Sequence, residues 1–184
     1  MTITNKSMEN QYLLPSLRLV QKAFTDHENE KEGKMVRALV EEIRGMETYI
    51  PQLELIAVNE NDEVVGYAMM SGFHLNGNYK DSLLILTPVC VKTELQRRHI
   101  SKHLLEYGFQ KAADMGYKAV IVEGNPANYR SRGFVTSALH GILPGKSVHL
   151  PAIECLMVKE LCQGALESIK GTVEYTEYKT LMND

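Results

Sequence analysis

Apolar residues recur at helical spacing twice near the start of the chain, at Leu17, Val20 and Phe24 and again at Val36, Leu39, Val40 and Ile43. Two helices are expected there, with Pro15 suited to the first turn of the first. Between them "TDHENEKEG" is polar and mostly acidic, and predicts a solvated loop. After Pro51 the pattern changes: "LELIAV" and "EVVGYAMM" flank the short polar "NENDE", which predicts two antiparallel strands joined by a tight connection. "LLILTPVCV" (Leu83–Val91) predicts a third, buried strand, but Pro88 cannot donate to a ladder and places a defect inside it.

Helical periodicity then returns. Ile100, Leu104, Gly108 and Ala112 form one i+4 row, and Leu105, Phe109 and Ala113 the adjacent one. "YKAVIVEGN" predicts a short buried strand parallel to the preceding strand, completing a strand–helix–strand unit, and "SVHLPAIECLMVKEL" supplies at least one more. No repeat, low-complexity segment or long linker divides the chain. Residues 1–184 therefore predict a single α/β domain, with residues 1–11 as a flexible lead.

Composition narrows the partners. Twenty Lys and Arg against 23 Asp and Glu give a net charge of -3, without the positive excess of a protein built to hold a phosphate backbone. Any anion site must be local, and nucleic acid is not expected as a partner. "MTITNKSMEN" lacks the basic start and apolar run of a secretion signal, and no apolar stretch approaches the roughly 18 residues of a membrane span. A cytoplasmic protein with no membrane partner is expected.

Cys90, Cys155 and Cys162 are odd in number and lack paired spacing, so buried, reduced thiols are expected rather than disulfides or a zinc knuckle. His99 and His103 share a helix face, but "HISKH" lacks the glutamate of HExxH and no third ligand is evident. No metal site is expected.

The chemistry concentrates around "VKTELQRRHISKHLLEYGFQKA" (Val91–Ala112). A helix that begins after a buried strand offers unpaired N–H groups and the positive end of its dipole to phosphate oxygens. Arg97, Arg98 and Lys102 add three cations at that point, either as part of an anion cradle or simply to keep the helix end soluble. Such cradles favour glycine, and here His99 and Ser101 stand in the two positions concerned. If the cradle works without glycine, its donors are expected to sit at negative φ, because a left-handed His carries a strain of roughly 1 to 2 kcal/mol. Pro88 gives an independent hint. A strand that loses its ladder midway leaves N–H and C=O groups at Val89 and Val91 to bind something extended and amide-bearing, or else marks a bulge at a sheet edge.

Taken in order, these residues resemble the GNAT superfamily of acyl-CoA-dependent N-acyltransferases, over a span from about Pro15 to Tyr178. The family signature Q/R-x-x-G-x-G/A falls on Gln96–Ser101, directly after a strand carrying "PVCV". A second motif is "NPANYRSRGF" (Asn125–Phe134), and the tail "LPAIECLMVKELCQGALESIKGTVEY" is similar in texture to the YhbS-like branch. The resemblance implies a mixed, splayed β-sheet with helices on both faces, and acetyl-CoA as co-substrate. It also implies a pantetheine arm on the backbone of Val89 and Val91, a pyrophosphate on the N–H groups of Arg97, Arg98, His99, Ile100, Ser101 and Lys102, and cofactor contacts at Gln96 and Asn125.

Tyr129 falls where many family members place a hydroxyl near the cofactor sulfur, where it could protonate the departing thiolate or pack beneath the cofactor. A protonated amine must also lose a proton before it can attack. Glu123, ending the "AVIV" strand, is the first candidate base and His74 the second; a solvated strand end is the plain alternative for Glu123. The expected activity is N-acetylation of a small-molecule or peptide primary amine by direct transfer in a ternary complex, with a homodimer compatible. The rival is a non-catalytic acyl-CoA sensor of the same fold, suggested by His99 together with the absence of an obvious base.

Overall fold

The computed structural model describes residues 2–182. In chain order it contains β1 (Ile3–Ser7), α1 (Leu13–His27), α2 (Glu30–Arg44), β2 (Glu54–Asn59), β3 (Val64–Leu75), β4 (Asn78–Val91), α3 (Ile100–Asp114) and β5 (Ala119–Glu123). There follow α4 (Pro126–Tyr129), β6 (Val135–Thr136), β7 (Ile142–Pro144), β8 (Leu156–Glu160), β9 (Gly171–Val173) and α5 (Lys179–Met182). Seven strands form one mixed sheet in the order β1-β2-β3-β4-β5-β8-β6, and β7 pairs with β9 in a second, two-stranded sheet. The chain forms two compact units, one made of residues up to Met69 with Pro88–Lys111, the other of Met70–Thr87 with the chain from Ala112 onward. Strands β3 and β4 contribute to both.

In the first unit, β1 pairs antiparallel with β2, and β2 with β3. The lead expected to be flexible thus carries an edge strand. Helices α1 and α2 bury the rows that predicted them apart from the half-buried Phe24, with Val20, Val40 and Ile43 at 0% exposure. The expected acidic loop is a correction: α1 runs to His27, α2 starts at Glu30, and only two residues separate them. Asn29 caps α2 by accepting from the Glu32 N–H at 3.0 Å, and the carboxylates of Glu30 and Glu32 lie at the favourable end of the helix dipole.

A buried polar cluster ties these elements together. Glu54, fully buried, accepts from Arg44 at 2.6 and 3.0 Å, from the Tyr49 hydroxyl at 2.5 Å and from the Tyr67 hydroxyl at 2.6 Å. With every partner in place the buried charge is matched; removing one typically costs about 3–5 kcal/mol. Helix α3 lies close over β3 at Gly66, where an added Cβ would stand 3.1 Å from the Ile100 side chain. That approach fixes where the helix begins.

In the second unit, β4 and β5 run parallel with Leu83–Ile85 opposite Ala119–Ile121, and the ladder ends there. Strand β5 pairs antiparallel with β8, which carries the two-residue edge strand β6. Asn76 and Gly77, both at positive φ, make the two-residue turn from β3 into β4, a turn chemistry that suits Asn-Gly.

Candidate active site

The stretch before α3 lies wholly in the first unit. Gln96 is extended (φ -61°, ψ 159°), whereas Arg97 and His99 have φ of 62° and 61°. The expectation of negative φ is therefore corrected: the loop takes the conformation that glycine favours while carrying side chains. Histidine is among the residues enriched at positive φ, which explains how position 99 tolerates it. Positive φ at Arg97 and His99 but not at the Arg98 between them is an alternation of the kind found in anion-binding nests.

The carbonyl of His99 accepts from the His103 N–H at 3.1 Å and opens the 15-residue α3. Buried Ile100, Leu104 and Leu105 anchor that helix, while Gln96, Arg97, Arg98, His99 and Lys102 are exposed. Among the described residues Arg97 and Arg98 form no ion pair, and Lys102 reaches Glu106 only at 3.9 Å.

On β4 the Lys92 N–H bonds to the Val65 carbonyl at 2.9 Å. Because backbone groups alternate along a strand, those of Val91 and Val89 point to the opposite edge from β3. Cys90 is buried, and desolvation pushes its thiol up to about 12. The other cysteines depart from expectation, since Cys155 is half-buried and Cys162 exposed.

The second unit holds the other candidates at the end of β5. Ala119–Val122 are buried and Glu123 emerges from them, accepting the Tyr175 hydroxyl on Oε2 at 3.0 Å. Desolvation raises the proton affinity of Glu123, while the Tyr175 hydrogen bond and the nearby His149 oppose that shift. Gly124 follows, its N–H bonded to the Cys155 carbonyl at 2.9 Å.

Asn125 caps α4 by accepting from the Ala127 N–H at 2.9 Å, so its side-chain oxygen shapes the turn that presents Tyr129. The ring of Tyr129 lies on Gly124, where an added Cβ would stand 2.5 Å from Cε2. Phe134 meets that ring edge-on at 5.4 Å and the Arg132 guanidinium covers it at 5.6 Å. Desolvation raises the Tyr129 pKa and Arg132 opposes the rise, so the phenol is protonated at neutral pH.

His74, the second candidate base, lies near the end of β3. Its Nδ1 accepts from the Gly77 N–H at 3.0 Å, which puts the proton of the neutral ring on Nε2, 2.9 Å from Glu177 Oε1. The sequence singled out neither Gly124 nor the contacts of Arg132, Phe134 and Tyr175, although the last three lie in the two quoted motifs. The Gly directly after a buried strand in "EGNPANY" was the available signal for the first; the long-range contacts of Tyr175 gave none. Among the described residues no group of three or more His, Cys, Asp or Glu could hold a metal ion, and no helix is long and apolar enough to cross a membrane.

A model of the acetyltransferase (GNAT) family matches residues 17–140. The chain belongs to that family. Within it the chain is YhbS-like: it is 28% identical over 162 residues to the uncharacterized N-acetyltransferase YhbS of Escherichia coli K12, covering 87% of this chain and 88% of YhbS. The crystal structure of E. coli YhbS in complex with CoA superposes with a TM-score of 0.80 at 23% identity, covering 99% of this chain and 92% of that one. A GNAT acetyltransferase from Brucella melitensis in complex with acetyl-CoA gives 0.61 at 24% identity, with coverage of 72% and 82%.

Proposed function

We propose that this N-acetyltransferase moves the acetyl group of acetyl-CoA to a primary amine by direct transfer in a ternary complex. One observation carries the reading: a strand-end carboxylate of raised proton affinity, Glu123, adjoins the glycine on which a desolvated phenol, Tyr129, rests. Glu123 takes the proton that the attacking amine gives up, and the amine nitrogen forms its bond to the acetyl carbon. Tyr129 gives its proton to the sulfur as the C–S bond breaks, leaving an amide and free CoA. Cys90, buried and with its thiol proton held tightly, is unsuited to carry an acyl group, which supports direct transfer over a covalent relay.

The nest of Gln96, Arg97, Arg98, His99, Ile100, Ser101 and Lys102 would hold the pyrophosphate, and the outward backbone of Val89 and Val91 the pantetheine amides. Asn125 contributes as the cap that sets Tyr129. The sensor reading rests on His99 together with the absence of an obvious base; the left-handed backbone kept at His99, the conformation glycine favours, supports cofactor binding there instead. The same proposal places the protein in the cytoplasm, acting on a small-molecule or peptide amine, as a monomer or homodimer, without nucleic acid.

The test is release of free thiol from acetyl-CoA against a panel of amines, peptides and aminoglycosides. Turnover on a primary amine with intersecting double-reciprocal lines is expected. Parallel lines would point to an acyl-enzyme, and an absence of turnover across the panel would overturn the reading.

A further inference from the structure

We infer that Tyr175 is a positioning residue for the carboxylate of Glu123, clamping one oxygen and leaving the other to receive the proton of the acceptor. The inference rests on the reading of Glu123 as the base. Tyr175 lies 52 residues from Glu123 and is buried, and its hydroxyl donates to Oε2 at 3.0 Å. A phenol in this setting keeps its proton, because desolvation and the adjacent Glu123 charge raise its pKa far above the usual value. The hydrogen bond therefore runs one way at all working pH.

The backbone of Tyr175 is fixed with equal care. Its N–H donates to Ser147 Oγ at 2.8 Å, and the Ser147 hydroxyl donates to Glu174. Glu174 also accepts the N–H groups of Lys146 at 3.1 Å and Ser147 at 2.9 Å, while the Gly145 N–H reaches the Val173 carbonyl at 2.8 Å. On the other side Tyr178 meets the Tyr175 ring edge-on at 6.3 Å and donates its N–H to the Tyr175 carbonyl at 3.0 Å.

One side chain thus joins the carboxylate to the strand β9 and to the loop that follows β7. That loop also brings the exposed His149 near Glu123, just after the buried Val148. The groups acting on the carboxylate are Tyr175 from the C-terminal segment and His149 from this loop, with Tyr178 acting on Tyr175 in turn. A carboxylate that merely ended a strand would have no need of a buried donor held from three sides.

The experiment uses the full chain and its Tyr175→Phe variant, which keeps the ring and removes the donor. The δ-carbon of Glu123 is titrated by carbon-13 NMR in both, and acetyl transfer to n-butylamine from acetyl-CoA is followed against pH in both and in Glu123→Gln. Loss of a donor to the charged form is expected to move the Glu123 midpoint and the acid limb of the rate profile to higher pH together. The expected fall in kcat is about tenfold, with the KM for acetyl-CoA unchanged.

In the wild-type chain the Tyr175 ζ-carbon must report the same midpoint as Glu123, a measurement that holds even if the variant fails to fold. An unmoved Glu123 midpoint, or a Tyr175 signal blind to it, would overturn the link. A shifted midpoint with an unchanged rate profile, while Glu123→Gln is slow, would overturn the positioning role and leave the base reading intact. Full activity in Glu123→Gln would remove the base reading itself, and the inference with it.

Discussion

The loop before α3 and the end of β5 are built from opposite materials. At Arg97–His99 the side chains are exposed and the geometry is written in backbone dihedrals, with two non-glycine residues at positive φ. At Glu123 and Tyr129 the backbone is an ordinary strand and one helical turn, and the geometry is written in buried rings and one carboxylate contact. A site made of N–H groups tolerates a change of side chain as long as φ is kept. A site made of side chains does not. Substitutions should therefore change chemistry in the second unit and affinity or stability in the first.

The largest effect is expected for Glu123→Gln, a fall of about a hundredfold in kcat with the acetyl-CoA Kd unchanged, read by thiol release and calorimetry. The same variant should melt higher than the wild type near about pH 7. Desolvation raises the folded pKa of Glu123 above its unfolded value, so its ionised form opposes folding at any pH above both. That advantage should vanish as the pH is lowered through the ordinary carboxylate range near about 4. A wild type that melts higher at neutral pH would contradict the desolvated carboxylate.

Tyr129→Phe should lower kcat by at least about tenfold and leave Kd nearly unchanged, because the hydroxyl acts as charge develops on sulfur. In the first unit, Ser101→Asp should weaken CoA binding by about tenfold by placing a carboxylate in the anion nest, with kcat at saturation preserved. Unchanged affinity would leave the stretch as a plain helix start. The smallest effect is expected for His99→Gly: relief of left-handed strain, partly offset by added freedom in the unfolded chain, should stabilise the fold by up to about 1 kcal/mol. The CoA Kd should stay within about threefold, since the loop already holds the conformation that glycine would favour. Denaturant unfolding and calorimetry on one sample separate the two quantities.

The contrast also explains what the sequence could tell. The loop and helix start at Gln96–Ile100 were legible because their spelling is local: Gln96, the paired arginines and the start of a periodic helix are contiguous, while the φ values of Arg97 and His99 ran against expectation. The strand with Pro88 and the parallel unit around α3 were legible for the same reason. Strand β1 was not, because an edge strand with one apolar residue among "ITNKS" has no buried face to announce it. The acidic stretch misled because polar residues at two abutting helix ends look like loop until the Asn29 cap is recognised. Tyr175 was legible only as the closing residue of the tail "GTVEY"; its contact with Glu123 was not, since the partner lies 52 residues away and only the folded chain brings them together.

The ring of Tyr129 resting on Gly124 has a mechanical consequence. The residue beneath the proposed proton donor is the direct chain neighbour of the proposed proton acceptor, so both groups stand on one foundation a single peptide long. A thermal shift of the strand end carries them together and leaves their separation almost unchanged. Gly124→Ala would pry that foundation apart, since a methyl group 2.5 Å from Cε2 must move the ring while Glu123 stays where β5 holds it. The expected result is a well-folded protein whose two proton-transfer distances no longer vary in step.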